Sequence, residues 1–171
     1  MSGSSERWCS EKHMRGLSFL ADGELYMVDV TLVQKVVGNM AATPVPAAPD
    51  AVVGIANLKG RIVTVLSLAA LLGRARSGGA RATEAVSAVV LKPFADGGDQ
   101  MGLLIDKPGD LITVSESKIL PPPATAEAKE KRCVSGVTEW EGKLYRIIDV
   151  DSIISRFRGK NPVNVLEGTN Q

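Results

Sequence analysis

Few residues in this 171-residue chain carry groups able to do chemistry. The single histidine, His13, follows Cys9 by four positions, a pairing that could make an activated thiolate nucleophile. Both lie in a polar leader, residues 1–16, with no fold expected around them, so catalysis there is not expected. Cys133 falls in a β-rich run without a second histidine to activate it and reads as a small buried residue. Two cysteines and one histidine cannot fill a four-ligand zinc site, and the carboxylates show no spacing that would complete one. No metal and no cofactor is expected. Asp29, Asp106 and Asp149 each end an aliphatic run; they could serve acid–base work, but as residues at strand ends they are expected to cap turns. Phosphate loops, H-E-x-x-H and G-x-S-x-G are missing from the sequence, so an enzyme is not expected.

Composition narrows the alternatives. Twenty Lys and Arg against nineteen Asp and Glu leave a net charge of +1, with no basic stripe. That excludes an electrostatic footprint for nucleic acid or an anionic membrane face. Residues 1–15 lack the apolar core of a secretory signal, and the twelve uncharged residues between Arg61 and Arg74 fall short of the ~20 that a spanning helix needs. A cytoplasmic protein with reduced thiols and no membrane insertion is expected.

The elements that must position any site are mostly strands. Short β-branched runs punctuated by 17 Gly and 9 Pro predict ten of them, at 17–20, 25–28, 34–40, 53–57, 61–67, 86–92, 101–105, 109–114, 132–139 and 143–149. Tight turns are expected at 21–24, 58–60, 95–99 and 140–142. Short helices are expected at 68–72 and 151–157, a solvated linker at 74–83, a solvated charged turn at 127–132 and a frayed tail at 159–171. An internal repeat organises the whole: residues 54–68 align without a gap on 136–150, superposing Gly54 on Gly136 and Gly60 on Gly142, and Val28-Asp29 with Pro44–Pro46 echo Ile105-Asp106 with Pro121–Pro123. Two five-stranded units follow, and five short strands in so small a unit close into a barrel, because an open sheet would leave aggregation-prone edges.

The repeat region also resembles a known family, the CheW-like coupling adaptors of bacterial chemotaxis, over roughly residues 17–158. The stretch Gly54-Ile55-Ala56-Asn57-Leu58-Lys59-Gly60-Arg61-Ile62-Val63 is similar to the family's G-[VI]-x-N-L-R-G-x-[IV]-[IV] signature. Tyr26-Met27-Val28-Asp29-Val30, then Val33, Val36 and Val37, Gly102 to Asp106, and Gly136-Val137 through Leu144 to Asp149-Val150 recur in family order. Where this chain has Lys35, Lys59, Thr64 and Ser67, the family usually carries Glu, Arg, Pro and Asp. Lys59 keeps a charge without the bidentate fork of guanidinium. Lys35 reverses one, and so bears on partner choice.

The resemblance implies a mainly β fold of two small five-stranded SH3-like barrels packed side by side, one about 17–82 and one about 83–158, with a first strand able to exchange into the other barrel. It implies an adaptor without chemistry of its own, coupling the cytoplasmic tips of methyl-accepting chemoreceptors to the regulatory domain of the histidine kinase CheA in arrays at the inner face of the membrane. An apolar groove near the barrel junction would take the receptor's helical hairpin, with Val30, Val33 and Val36 on one wall, Lys35 and Lys59 on the rim, and Val86, Ser87 and Ala88 opposite. Val53 and Gly54 would face the kinase, the glycine allowing close backbone approach.

Each residue also has a plainer reading. The three valines can be core, Gly54 and Gly60 turn formers, Lys59 a solvated tip, and Trp140 either an exposed hot spot or a ring folded back on its barrel. Other functions stay open: an adaptor of a pilus or gliding pathway, a small-molecule-binding barrel or hydrolase with a site at the junction, and, least supported at 4% aromatics, an RNA-binding barrel.

Overall fold

The computed structural model describes residues 12–73, 85–93 and 100–157. Its strands are β1 (His13–Ala21), β2 (Glu24–Asp29), β3 (Val33–Ala41), β4 (Val52–Leu58), β5 (Arg61–Leu66), β6 (Ala85–Leu91), β7 (Gln100–Ile105), β8 (Lys107–Ser115), β9 (Val134–Trp140) and β10 (Lys143–Ile148). Helices α1 (Leu68–Leu71), α2 (Ala128–Cys133) and α3 (Val150–Phe157) are short, and 3-10 turns occupy Val30–Leu32 and Glu116–Lys118. The expected linker 74–83, turn 95–99 and tail 159–171 lie outside the described residues.

Two expectations about local structure are corrected. Residues 127–132 do not form a solvated turn: Ala-Lys-Glu-Lys-Arg are strong helix formers, they build α2, and β9 therefore starts at Val134. The polar leader ends earlier than residue 16, because His13 to Gly16 pair with Ser115 to Ile112 of β8. A strand partner supplies backbone hydrogen bonds that sequence polarity does not reveal.

Topology departs further from a cut at residue 82. One sheet runs β8-β1-β2-β10-β9 and the other β3-β6-β7-β5-β4. The first, here the terminal barrel, joins both ends of the described chain; the second, the central barrel, uses the middle. In each, four neighbours pair as antiparallel, antiparallel, parallel, antiparallel, and the two edge strands meet through one bridge, Leu120–Val137 in the terminal barrel and Thr43–Ile55 in the central one. The sequence repeat sets β1–β5 against β6–β10, but the β1–β2 hairpin joins the barrel of the second repeat and β6–β7 joins that of the first. A two-strand piece is thus exchanged in both directions.

The exchanged pieces are joined to the rest by short links. The chain passes from β2 to β3 through the 30–32 turn, and from β7 to β8 through Asp106 alone. The repeat-equivalent aspartates sit at these two crossovers. Asp29 Oδ1 accepts from Thr31 N–H at 2.9 Å and from its hydroxyl at 2.8 Å. Asp106 Oδ2 accepts from Asp22 N–H at 2.7 Å, while its own N–H donates to Leu20 O at 2.8 Å. Asp149 caps α3 by accepting from Ser152 N–H and Oγ, and Ser67, its repeat equivalent, accepts from Ala70 N–H at the start of α1. All three carboxylates are structural.

Three apolar clusters result. Met27, Ile112, Val114, Tyr145 and Ile147 fill the terminal barrel; Met40, Ala56, Val65, Val86 and Ala88 fill the central one. The largest cluster lies between them, where Phe19, Tyr26, Val28, Leu66, Val89, Leu103, Ile105, Val137 and Ile148 meet α1 and α3. Strand alternation divides these sets: Met27 points inward and its neighbours Tyr26 and Val28 point to the junction. Arg146 on β10 bonds Glu24 on β2 and, at 2.8 Å, Glu130 on α2, tying that helix to the terminal barrel. Burial alone would lower the Arg146 pKa, but the Glu130 hydrogen bond and the Glu24 charge outweigh it and hold it above its ordinary value.

Candidate binding cleft

Lys59 is placed by a two-residue hairpin. Lys59 (φ 52°) and Gly60 (φ 85°) both take left-handed backbone, as a type I′ turn requires, and Asn57 Oδ1 accepts from Gly60 N–H at 2.9 Å. The hairpin tip therefore has a defined turn, which sets where Lys59 stands. Lys35 comes from the other edge strand, β3, opposite Val90. Between Val37 and Met40 the β3–β6 register slips, and Asn39 takes φ 54°; this bulge bends β3 away from β4. The two edges meet again at Thr43–Ile55, leaving a cleft of about 610 Å³ between them. Its walls include Val37, Met40, Ile55 and Leu58, with Lys35, Asn39, Asn57 and Lys59 as polar lining.

The expected site residues divide between two faces. Lys35 and Lys59 share the cleft. Val36, 40% exposed, pairs with Val89 and so points to the opposite face of β3 from Lys35. Half-buried Ser87 shares that outer face. Val30 is half-buried, and Val33 is half-buried with its side chain against the junction core. Val86 and Ala88 line no groove. At 8% and 0% exposure they belong to the central barrel's interior, because β6 is the second strand of a closed sheet.

The junction itself is no open trough, since the chain's own largest cluster fills it. Gly54 is also explained internally: a Cβ there would lie 2.5 Å from Thr43 O, the backbone that closes the barrel. Gly136 plays the same part, 2.8 Å from Leu120 O. Val53 is half-buried against the central core. Trp140 is folded back, packed on the terminal core with its ring 6.4 Å from Tyr145, edge to face.

Sequence reasoning missed Asn39, Met40, Ile55 and Leu58 as cleft residues, and it missed Leu32, 36% exposed beside Val36. Asn39 in a β-branched run carries a weak bulge signal; the others carry none, since exposed and buried aliphatics look alike in sequence.

Among the described residues, neither cleft lysine has an ion-pair partner, and no three His, Cys, Asp or Glu side chains converge to hold a metal. Cys133 is buried; burial pushes its thiol pKa up although Arg156, with Nη1 3.6 Å from Sγ, pulls it down. No helix among the described residues is long and apolar enough to cross a membrane.

Two five-stranded barrels, one of them opened by an apolar cleft whose two lysines have no ion-pair partner among the described residues, have the build of a binding module. The chain belongs to the CheW-like domain family, which matches residues 15–158. It is 29% identical to the chemotaxis protein CheW of Rhizobium meliloti (strain 1021) over 80% of this chain and 84% of that one. It is 26% identical to CheW of Thermotoga maritima, covering 89% and 95%. Among solved structures, the scaffolding protein TtCheW of Thermoanaerobacter tengcongensis superposes with a TM-score of 0.66 at 26% identity, over 81% of this chain and 90% of that one. The protein is thus a chemotaxis adaptor and not an enzyme.

Proposed function

We propose that this chain couples the cytoplasmic tip of a methyl-accepting chemoreceptor to the regulatory domain of the histidine kinase CheA, in arrays at the inner face of the membrane. The observation that carries the reading is the open split of the central barrel in a member of an adaptor family. A helical hairpin laid across the edge strand β3 would bury Leu32 and Val36, which are exposed in the free chain, at ~25 cal/mol per Å² of apolar surface, Val36 on the outer face of the strand, and meet the cleft on its inner face. Lys35 and Lys59, at the mouth of the cleft, would fix its register. The kinase would meet the start of β4 near Val53, with Gly54 acting through the shape of the closing bridge.

Native mass spectrometry of the chain mixed with a receptor hairpin fragment and a kinase regulatory domain tests this. Binary and ternary complexes are expected, with affinities on the order of micromolar for such modest interfaces. Association with neither partner overturns the reading.

A further inference from the structure

Within that docking reading, on which the following rests, the chemistry of the cleft says what kind of partner it accepts. We infer that Lys35 and Lys59 are specificity residues that select a helix carrying carboxylates beside its apolar stripe. Three observations lead there. The two ammonium groups come from opposite edges of one split barrel and line the same cleft, and no acid among the described residues neutralises either. The cleft floor of Val37, Met40, Ile55 and Leu58 is apolar, so a docked partner would displace water from both lysines and strengthen their attraction for anions. The edge strand β3 resists strand addition, because Lys35 points into the split and the bulge at Gly38-Asn39 breaks the hydrogen-bonding line. An extended peptide is therefore disfavoured, and a helix, which brings its own backbone hydrogen bonds, is favoured.

The terminal barrel provides an internal control. Its equivalent hairpin carries Glu139 and Glu141, both exposed, where the central one has Asn57 and Lys59. The duplicated fold therefore presents opposite charge at corresponding tips, and charge at these positions is not required by the hairpin itself. The same acids make a second copy of the chain the rival occupant.

Designed helical hairpins with one Leu stripe, flanked by Glu, by Gln or by Lys, are suitable probes, titrated calorimetrically into wild type and Lys35→Glu/Lys59→Glu. The Glu hairpin should bind wild type at least tenfold more tightly than the Gln hairpin, and lose about that factor in the double variant and at 0.5 M salt. The Lys hairpin should bind the double variant better than wild type. Equal binding of Glu and Gln hairpins to wild type, or no binding of any hairpin, overturns the inference. So does sedimentation showing wild type self-associated and dispersed by Glu139→Gln/Glu141→Gln, which would identify the occupant as another copy. A receptor fragment that binds wild type and the double variant equally would overturn the charge selection while leaving the adaptor reading in place.

Discussion

The central and terminal barrels share one strand order and one mode of closure, yet they finish their splits differently. In the terminal barrel, β8 is followed by the Glu116–Lys118 turn before the closing residue Leu120; Ile119 and Trp140 pack on the core, and Thr138 Oγ1 donates to Lys118 O at 3.3 Å. In the central barrel, β3 runs almost directly into Thr43, and Leu58 stands where the other has Trp140. The two segments are equally long, Thr43 following Asp29 and Leu120 following Asp106 by the same 14 residues, so placement differs and not length. A 3-10 turn after β8 and one large ring fill one split, while the central barrel, with its 3-10 turn before β3 and Leu58 for the ring, keeps a cleft with two lysines. Duplication followed by unequal filling gives two barrels of one plan with different surfaces: the central one opens between β3 and β4, and the terminal one keeps a smaller cleft of about 400 Å³ elsewhere, beside Leu25, Pro108 and Lys143.

The strongest way to break this comparison is at the closing bridges. Gly54→Ala and Gly136→Ala should each destabilise by about 3 kcal/mol in urea unfolding. Gly54→Ala should cost more: its new Cβ would meet only backbone, at 2.5 and 2.8 Å, whereas one neighbour of Gly136 is the end of the Ile119 side chain. Equal tolerance of both would show that closure does not depend on these contacts.

The junction ranks next. Leu103→Ala, at a fully buried position shared by both barrels, should cost about 2 to 4 kcal/mol and keep a single unfolding transition by fluorescence and circular dichroism. Two separated transitions would mean that the barrels fold as independent units in spite of the exchanged hairpins.

Swapping the ring sharpens the contrast. Leu58→Trp should fill the open cleft, changing stability by less than about 1.5 kcal/mol while weakening receptor-fragment binding at least tenfold. Trp140→Leu should cost about 1 to 2 kcal/mol through lost packing on Tyr145 and leave that binding unchanged. The smallest effect on stability is expected at the outer face of β3. Val36→Asp should stay within about 0.5 kcal/mol of wild type and lower binding, whereas Val33→Asp should unfold the chain at lower urea, because that side chain touches the junction core.

Much of the fold was legible in residue pattern. The ten strands announced themselves through β-branched runs between turn residues, and hairpins such as Lys59-Gly60 and Glu141-Gly142 through the need for positive φ. The role of Asp29 and Asp149 as local caps followed from their places at strand ends, whereas Asp106 accepts from Asp22 N–H in a distant turn, a partner that its place in the chain does not name. The site was less legible. Of the residues implied by resemblance, Lys35 and Lys59 share a cleft, while Val86 and Ala88 are core: pattern gave their strand but not which of its faces is enclosed.

Local rules act over a few residues, so the chain's own order determined its strands, tight turns, helix caps and doubled plan. Which hairpin entered which barrel was decided only by three-dimensional packing, because burying Tyr26, Val28, Leu103 and Ile105 together requires strands from both repeats to cross. The openness of one split and the fullness of the other were decided there too, by side-chain volumes meeting between β3 and β4 in one barrel and between the end of β8 and β9 in the other.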